Sequence, residues 1–124
     1  MSEKDLSLLI IEDQDFNTHL FKRGFSEYNI STAKNGIEGL QKYQETLPDI
    51  VFLDIGLPDM SGFEVLQRLK SCNPDVYVVM LSGMNTQEYF KKSRQLGAAG
   101  FLAKPYNRDF ILHYIYSYRN FDKN

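Results

Sequence analysis

The sequence predicts an α/β fold: a five-stranded parallel sheet with helices on both faces, joined by right-handed crossovers. Three observations predict it. Short apolar runs alternate five times with stretches of helical periodicity, the pattern of βα repeats. One run, Ile50-Val51-Phe52-Leu53-Asp54, puts four apolar residues in a row, which marks a strand covered on both faces. The chain has 124 residues, 43% of them hydrophobic and 24% charged, enough for one core and little more.

Each element has a local cause. Leu6-Ser7-Leu8-Leu9-Ile10-Ile11 reads as the first strand and ends on the acids Glu12-Asp13. Phe16, Leu20, Phe21 and Phe25 then recur at helical spacing over about 14–26. Asn29-Ile30-Ser31-Thr32-Ala33 is only weakly strand-like, and Asn35-Gly36 marks a turn. Ile37, Leu40 and Tyr43 keep a helical period that stops near Leu47-Pro48. The strand containing that run covers about 49–54, and Gly56, Pro58, Asp59, Ser61 and Gly62 end it in a loop. Phe63, Val65, Leu66 and Leu69 form the next amphipathic helix, which stops before Asn73-Pro74. Val76 to Leu81 is strongly β-prone and leads into Ser82-Gly83. Thr86 is placed to cap a helix over 87–96, whose apolar face, Phe90 and Leu96, is thin; Gly97 ends it. Gly100-Phe101-Leu102-Ala103 is a short strand ending on Lys104-Pro105. Asn107 caps a last helix in which Phe110, Ile111, Tyr114, Ile115 and Tyr118 recur at three and four, with Asn120 to Asn124 as a short tail.

Composition excludes several classes of function. A net charge of −2 opposes general attraction to nucleic acid or to an anionic membrane. A single cysteine, Cys72, rules out an intrachain disulfide and a thiolate metal site, and fits a reducing, cytoplasmic setting. The N-terminus, Met1 to Asp5, is polar, and neither a signal peptide nor a membrane span is expected.

In a parallel sheet every strand ends on the same edge. Four of the five strands deliver a polar group there: Glu12 and Asp13, Asp54, Ser82 and Lys104. Taken singly, each has an ordinary role: Asp54 as a turn residue, Glu12-Asp13 as a helix-dipole pair, Ser82 and Lys104 as loop and surface groups. Together they suit one chemistry. Three crowded carboxylates with no His or Cys beside them call for a hard divalent cation, Mg²⁺. The lysine pairs with a phosphate and the serine hydroxyl bonds a second phosphate oxygen. A carboxylate can take a phosphoryl group as an acyl phosphate, and Asp54, at the end of a strand read as buried on both faces, is the expected acceptor.

These motifs resemble the receiver domain of bacterial two-component response regulators, a flavodoxin-like (βα)5 fold. The likeness covers nearly the whole chain, and residues 1–124 are read as one domain. It is carried by Glu12-Asp13, by Ala33-Lys34-Asn35-Gly36, and by Asp54-Ile55-Gly56-Leu57-Pro58-Asp59-Met60-Ser61-Gly62. Ser82-Gly83 and Lys104-Pro105 complete it. The resemblance implies that Asp54 is phosphorylated by a histidine kinase or histidine phosphotransfer protein. It implies Mg²⁺ held by Glu12, Asp13, Asp54 and the Gly56 carbonyl, with Ser82 and Lys104 on the phosphoryl group. It also implies a cis Lys104-Pro105 peptide. Phe101, three residues before the lysine, falls at an aromatic switch position, though a strand residue there is equally read as core. Output is expected through a partner or a self-dimer on the face made by the fourth helix, fifth strand and fifth helix, where Tyr106 and Tyr116 are candidates for exposure. No output module is expected within the residues after the fifth helix, so output is expected through such a partner or through a domain outside this sequence. The protein is expected to be a switch, not an enzyme acting on an external substrate.

Three departures and three competing classes complete the picture. Glu12 stands where aspartate is frequent, and Phe101 lacks the hydroxyl of the common tyrosine. Gly56 and Met84, two residues past Asp54 and Ser82, offer no side chain to position water, so slow self-dephosphorylation is expected. Asp13-Gln14-Asp15 has the Asp-x-Asp form of haloacid-dehalogenase phosphohydrolases, but Asp109 and Asp122 cannot supply that class's later acidic pair. A flavodoxin-type electron carrier needs a phosphate-cradling first loop, which Glu12 to Asp15 would repel. A degenerate receiver used only for contact is disfavoured because all five site positions carry competent residues.

Overall fold

The computed structural model describes residues 6–84 and 86–122, the side chains of Phe16, Phe121 and Asp122 excepted. The polar N-terminal segment, the expected packing of Phe16 and Phe121, and residues 123–124 of the tail lie outside it. Strands and helices alternate as β1 (Ser7–Ile11), α1 (Asp15–Gly24), β2 (Asn29–Ala33), α2 (Gly36–Thr46) and β3 (Ile50–Asp54). They continue as α3 (Gly62–Cys72), β4 (Val78–Ser82), α4 (Gln87–Gln95), β5 (Gly100–Ala103) and α5 (Arg108–Asp122). All five strands are parallel, in the order β2-β1-β3-β4-β5.

Burial follows strand position. β3 and β4 are buried at every residue, and β1 at all but its first, whereas β2 and β5, at the two edges, are largely half-exposed. That is why Ile50 to Leu53 is continuously apolar while Asn29 to Ala33 is barely strand-like in sequence: an edge strand needs apolar cover on fewer positions. Alternation divides the sheet into two faces. On one, Leu8, Ile10, Phe52 and Val79 meet Phe21 of α1, Phe25 just after it, and Ile111 and Ile115 of α5. On the other, Leu9, Ile11, Val51, Leu53 and Met80 meet Tyr43 of α2 and Phe63, Val65, Leu66 and Leu69 of α3. Asp54 falls in phase with Phe52, on the α1/α5 face.

Two helix starts follow the expected caps: Thr86 and Asn107 accept through their side chains from the backbone N–H of Tyr89 and Phe110. Asn35, expected only to mark a turn, caps α2 by accepting from the Glu38 N–H. Ser61, which had not been singled out as a cap, accepts from Phe63. Gly97, at φ 91°, closes the α4–β5 turn in a conformation that suits only glycine.

Several sequence expectations shift. Leu20, Ile37 and Phe110, placed on apolar helix faces by their spacing, are exposed. In α5 the inward stripe is Ile111 and Ile115, one position away from Phe110, with Tyr114 and Tyr118 packed at its margin. The fourth strand begins at Val78, not Val76. The last helix runs on to Asp122, through most of the segment expected as tail. Tyr116 is exposed as expected, but Tyr106 is half-buried against the α1/α5 core.

Candidate functional site: an acidic pocket at the carboxyl edge of the sheet

Strand order reverses between β1 and β3, because the chain builds outward in opposite directions from that pair. The connections diverge there and leave a crevice at the strands' carboxyl ends. Glu12 and Asp13 follow β1, Asp54 ends β3, Ser82 ends β4, and Lys104 follows β5. All four strand ends meet around a cavity of about 730 Å³ lined by Asp13, Asp54, Gly56, Ser82, Met84 and Lys104, among others. Ligand oxygens of Glu12, Asp13 and Asp54 lie within 4.8 Å of one another.

Glu12 and Asp54 are only 2% and 5% exposed, so their hydrogen bonds matter; Asp13 is exposed. Lys104 Nζ donates to Glu12 Oε1 at 2.7 Å and to Asp54 Oδ2 at 3.1 Å. The Gly56 N–H donates to Asp54 Oδ1 at 3.2 Å. Asn17 Nδ2 donates to Glu12 Oε1 at 3.1 Å. Burial alone would lower the affinity of Lys104 for its proton. The hydrogen bonds to Glu12 and Asp54, with their charges, outweigh that and raise its pKa above the ordinary lysine value. The Tyr106 hydroxyl is also pushed up, first by burial, and feels the charges of Lys104, Glu12 and Asp54.

One ammonium cannot balance three carboxylates. Glu12 Oε2 is buried and takes no hydrogen bond from any described residue, a costly state for a carboxylate oxygen. An orphaned hard oxygen, with two more carboxylates beside it and no nitrogen or sulfur ligand, fits Mg²⁺. Lys104-Pro105 is a cis peptide.

The loop after β3 explains its own motif. Gly62 N–H donates to Ile55 O at 2.8 Å, and a bridge pairs Gly56 with Ser61. A Cβ at residue 62 would lie 2.3 Å from the Asp54 carbonyl oxygen, so the loop folds this tightly only with glycine there. Asp59, on the same loop, accepts from the N–H of Gly36 at 2.7 Å and Ile37 at 2.9 Å, tying the loop to the start of α2. Burial pushes the Asp59 carboxyl up, but the backbone hydrogen bonds, those of Gly36 and Ile37 first, together outweigh it and hold its pKa below the usual value.

Ser82 is brought to the pocket but faces its own loop: its hydroxyl donates to Met84 O at 2.7 Å and accepts from Met84 N at 3.0 Å. Phe101 is half-buried against the α2/α3 core, edge-on to the exposed Phe90 with centroids 6.0 Å apart. Asn17, Asp59 and Tyr106 were not read as part of the site. Asn17 becomes a neighbour of Glu12 only when the chain turns from β1 into α1, and no spacing rule announces that contact. Asp59 meets α2 across 23 residues of sequence. The acidic doublet at a strand end was visible; the donors that orient it were not.

A parallel βα sheet that gathers carboxylates, a hydroxyl and a lysine at its switch point defines a class, the phosphoryl-handling α/β signalling domains. The comparisons with known proteins narrow this. The model of the response regulator receiver domain family matches residues 8–116. The chain is 36% identical over 110 residues to the chemotaxis protein CheY of Listeria monocytogenes, covering 86% of this chain and 92% of that one. It is 32% identical over 113 residues to sporulation initiation phosphotransferase F of Bacillus subtilis, covering 90% and 89%. Among solved structures it is similar to the CheX-CheY-BeF3-Mg²⁺ complex from Borrelia burgdorferi, with a TM-score of 0.85, 32% identity, and coverage of 90% and 87%. The chain belongs to the response regulator receiver domain family, whose members are phosphoryl-accepting signalling switches that bind Mg²⁺ at an acidic pocket. Among the described residues no helix is long and apolar enough to cross a membrane.

Proposed function

We propose that Asp54 is the phosphoryl acceptor of this receiver domain, with a histidine kinase or histidine phosphotransfer protein as donor. The observation that carries the proposal is the placement of Asp54. It is a buried carboxylate at the end of the central strand, oriented by Gly56 N–H on one oxygen and Lys104 on the other. A carboxylate oxygen of Asp54 forms the new O–P bond as the P–N bond to the donor imidazole breaks. The bonding pair of P–N stays on the imidazole nitrogen, and the donor leaves as neutral histidine after taking up a proton. Glu12, Asp13, Asp54 and the Gly56 carbonyl hold Mg²⁺, which supplies charge neutralisation for the transferring group. Lys104 passes from Asp54 Oδ2 to a phosphoryl oxygen, and the Ser82 hydroxyl leaves Met84 O for a second one.

The consequence at the surface follows from that last movement. Ser82 holds the β4–α4 loop through both Met84 backbone groups, so its departure frees the loop, and Phe101 turns inward from Phe90. This changes the α4-β5-α5 face, where Phe90, Phe110 and Tyr116 are already exposed for an output partner or a second copy.

Intact mass after incubation with acetyl phosphate and Mg²⁺ tests the acceptor. The expected result is the gain of one phosphoryl group, dependent on Mg²⁺ and absent in Asp54→Asn. A gain retained in Asp54→Asn overturns the assignment and points to Asp13. If the wild type gains nothing, beryllofluoride binding decides: binding supports a competent pocket that needs a protein donor, and no binding rejects phosphoryl acceptance.

A further inference from the structure

We infer that Asn17 is a positioning residue for the divalent cation: its amide holds Glu12 Oε1, so that Glu12 Oε2 is the oxygen presented to the metal. This rests on the acidic pocket being the metal site. Asn17 lies in the first turn of α1, and its Nδ2 donates to Glu12 Oε1 at 3.1 Å while standing 3.4 Å from Gln14 Oε1. An ionised carboxylate only accepts, so the nitrogen end of the Asn17 amide must be the one that faces Glu12. Lys104 Nζ meets the same oxygen at 2.7 Å. Two donors on Oε1 leave Oε2 bare, and it is Oε2 that is buried without a partner.

The two donors are not equivalent. Lys104 is shared with Asp54, and in the proposed reaction it moves to the phosphoryl group. Asn17 then remains as the donor that fixes Glu12. The need for such a clamp comes from the residue type: glutamate has one more rotatable bond than aspartate, and its carboxylate torsion is broad. Without a hydrogen bond on Oε1 the arm can turn Oε2 toward Lys104 and away from the cation. Outer partners of metal-binding carboxylates commonly carry a large part of the affinity for this reason.

Titration calorimetry of the unphosphorylated protein with MgCl₂ at pH 7 tests this on wild type, Asn17→Ala and Asn17→Leu. Unfolding by urea is measured in parallel, in EDTA and in Mg²⁺. The expected result is about tenfold weaker Mg²⁺ binding in both variants. The stabilisation that Mg²⁺ confers should shrink accordingly, beyond any change seen in EDTA; a merely structural role would lower stability equally in both media. Should Asn17→Ala not fold, Asn17→Leu, with the same branched heavy-atom skeleton, carries the test. Affinity within twofold of wild type overturns the inference and leaves Asp54 as acceptor untouched. A wild type that binds no Mg²⁺ overturns the metal assignment and the inference together.

Discussion

Removing the Lys104 ammonium is the most demanding test of the site's electrostatics. Lys104→Met keeps most of the side-chain volume and deletes the charge that pairs with Glu12 and Asp54. Breaking a buried pair by removing one partner costs about 3–5 kcal/mol, because the remaining charge is stranded. Here two nearly buried carboxylates lose a donor, which argues for the upper end. Each keeps another, Asn17 Nδ2 on Glu12 and Gly56 N–H on Asp54, and the lysine side chain is itself 24% exposed. Those features bring the expected loss to about 3 kcal/mol at pH 7 without divalent cation. For a chain of this size that is a fall in Tm of roughly 10 °C. Urea unfolding in EDTA measures it, with Asp54→Asn and the double variant completing a cycle. The double variant should lose less than the sum of the singles, since the lysine no longer has a stranded Asp54 to leave behind. A loss below about 1 kcal/mol, or strict additivity, would refute the claim that this pairing is held in a low-dielectric pocket. The pH dependence has a defined sign. Lys104 has a raised folded pKa, so its contribution is fully present below the ordinary lysine value. It fades as pH climbs through the higher folded value, and the gap between wild type and Lys104→Met should close on that alkaline side.

Two further outcomes follow from the loops. Asp59→Ala removes an acceptor from two N–H groups at the start of α2 and should cost about 1 kcal/mol in urea unfolding. The Asp59 pKa is lowered in the fold, so this contribution is present above the ordinary aspartate value and is lost as pH falls through the lower folded one. An unchanged midpoint between pH 7 and pH 3 would show that the contact adds nothing. Met84→Glu puts a water-positioning carboxylate on the exposed wall of the site cavity. Phosphate release from the phosphorylated protein, followed by mass, should speed up about tenfold over a slow wild type; equal rates would remove Met84 from any account of phosphoryl lifetime.

Much of this protein was legible along the chain because its signals are local. Continuous apolarity in Ile50 to Leu53 marks a strand covered on both faces, and alternation of strand and helix implies a parallel sheet. A parallel sheet puts Glu12, Asp13, Asp54, Ser82 and Lys104 on one edge. Helix caps at Thr86 and Asn107 are read within four residues. Helix faces were harder, since Phe110 and Ile37 satisfy the same spacing rule as true core residues; only the angle at which each helix lies on the sheet selects Ile111 and Ile115 over Phe110. The last helix also outran its sequence signal, because nothing in Asn120 to Asp122 breaks a helix already anchored upstream.

What sequence alone determined is therefore which polar groups gather at one edge of the sheet. What the tertiary structure decided is which atom faces which. Lys104 reaches Glu12 across 92 residues and Asp54 across 50, and Asp59 caps a helix 23 residues earlier. Such contacts depend on how helices and loops settle against the sheet, to within the few tenths of an ångström that separate a hydrogen bond from none. The bare Oε2 of Glu12 is of that kind: the sequence names the carboxylates at this edge, but only packing shows which oxygen is buried without a hydrogen-bond partner among the described residues.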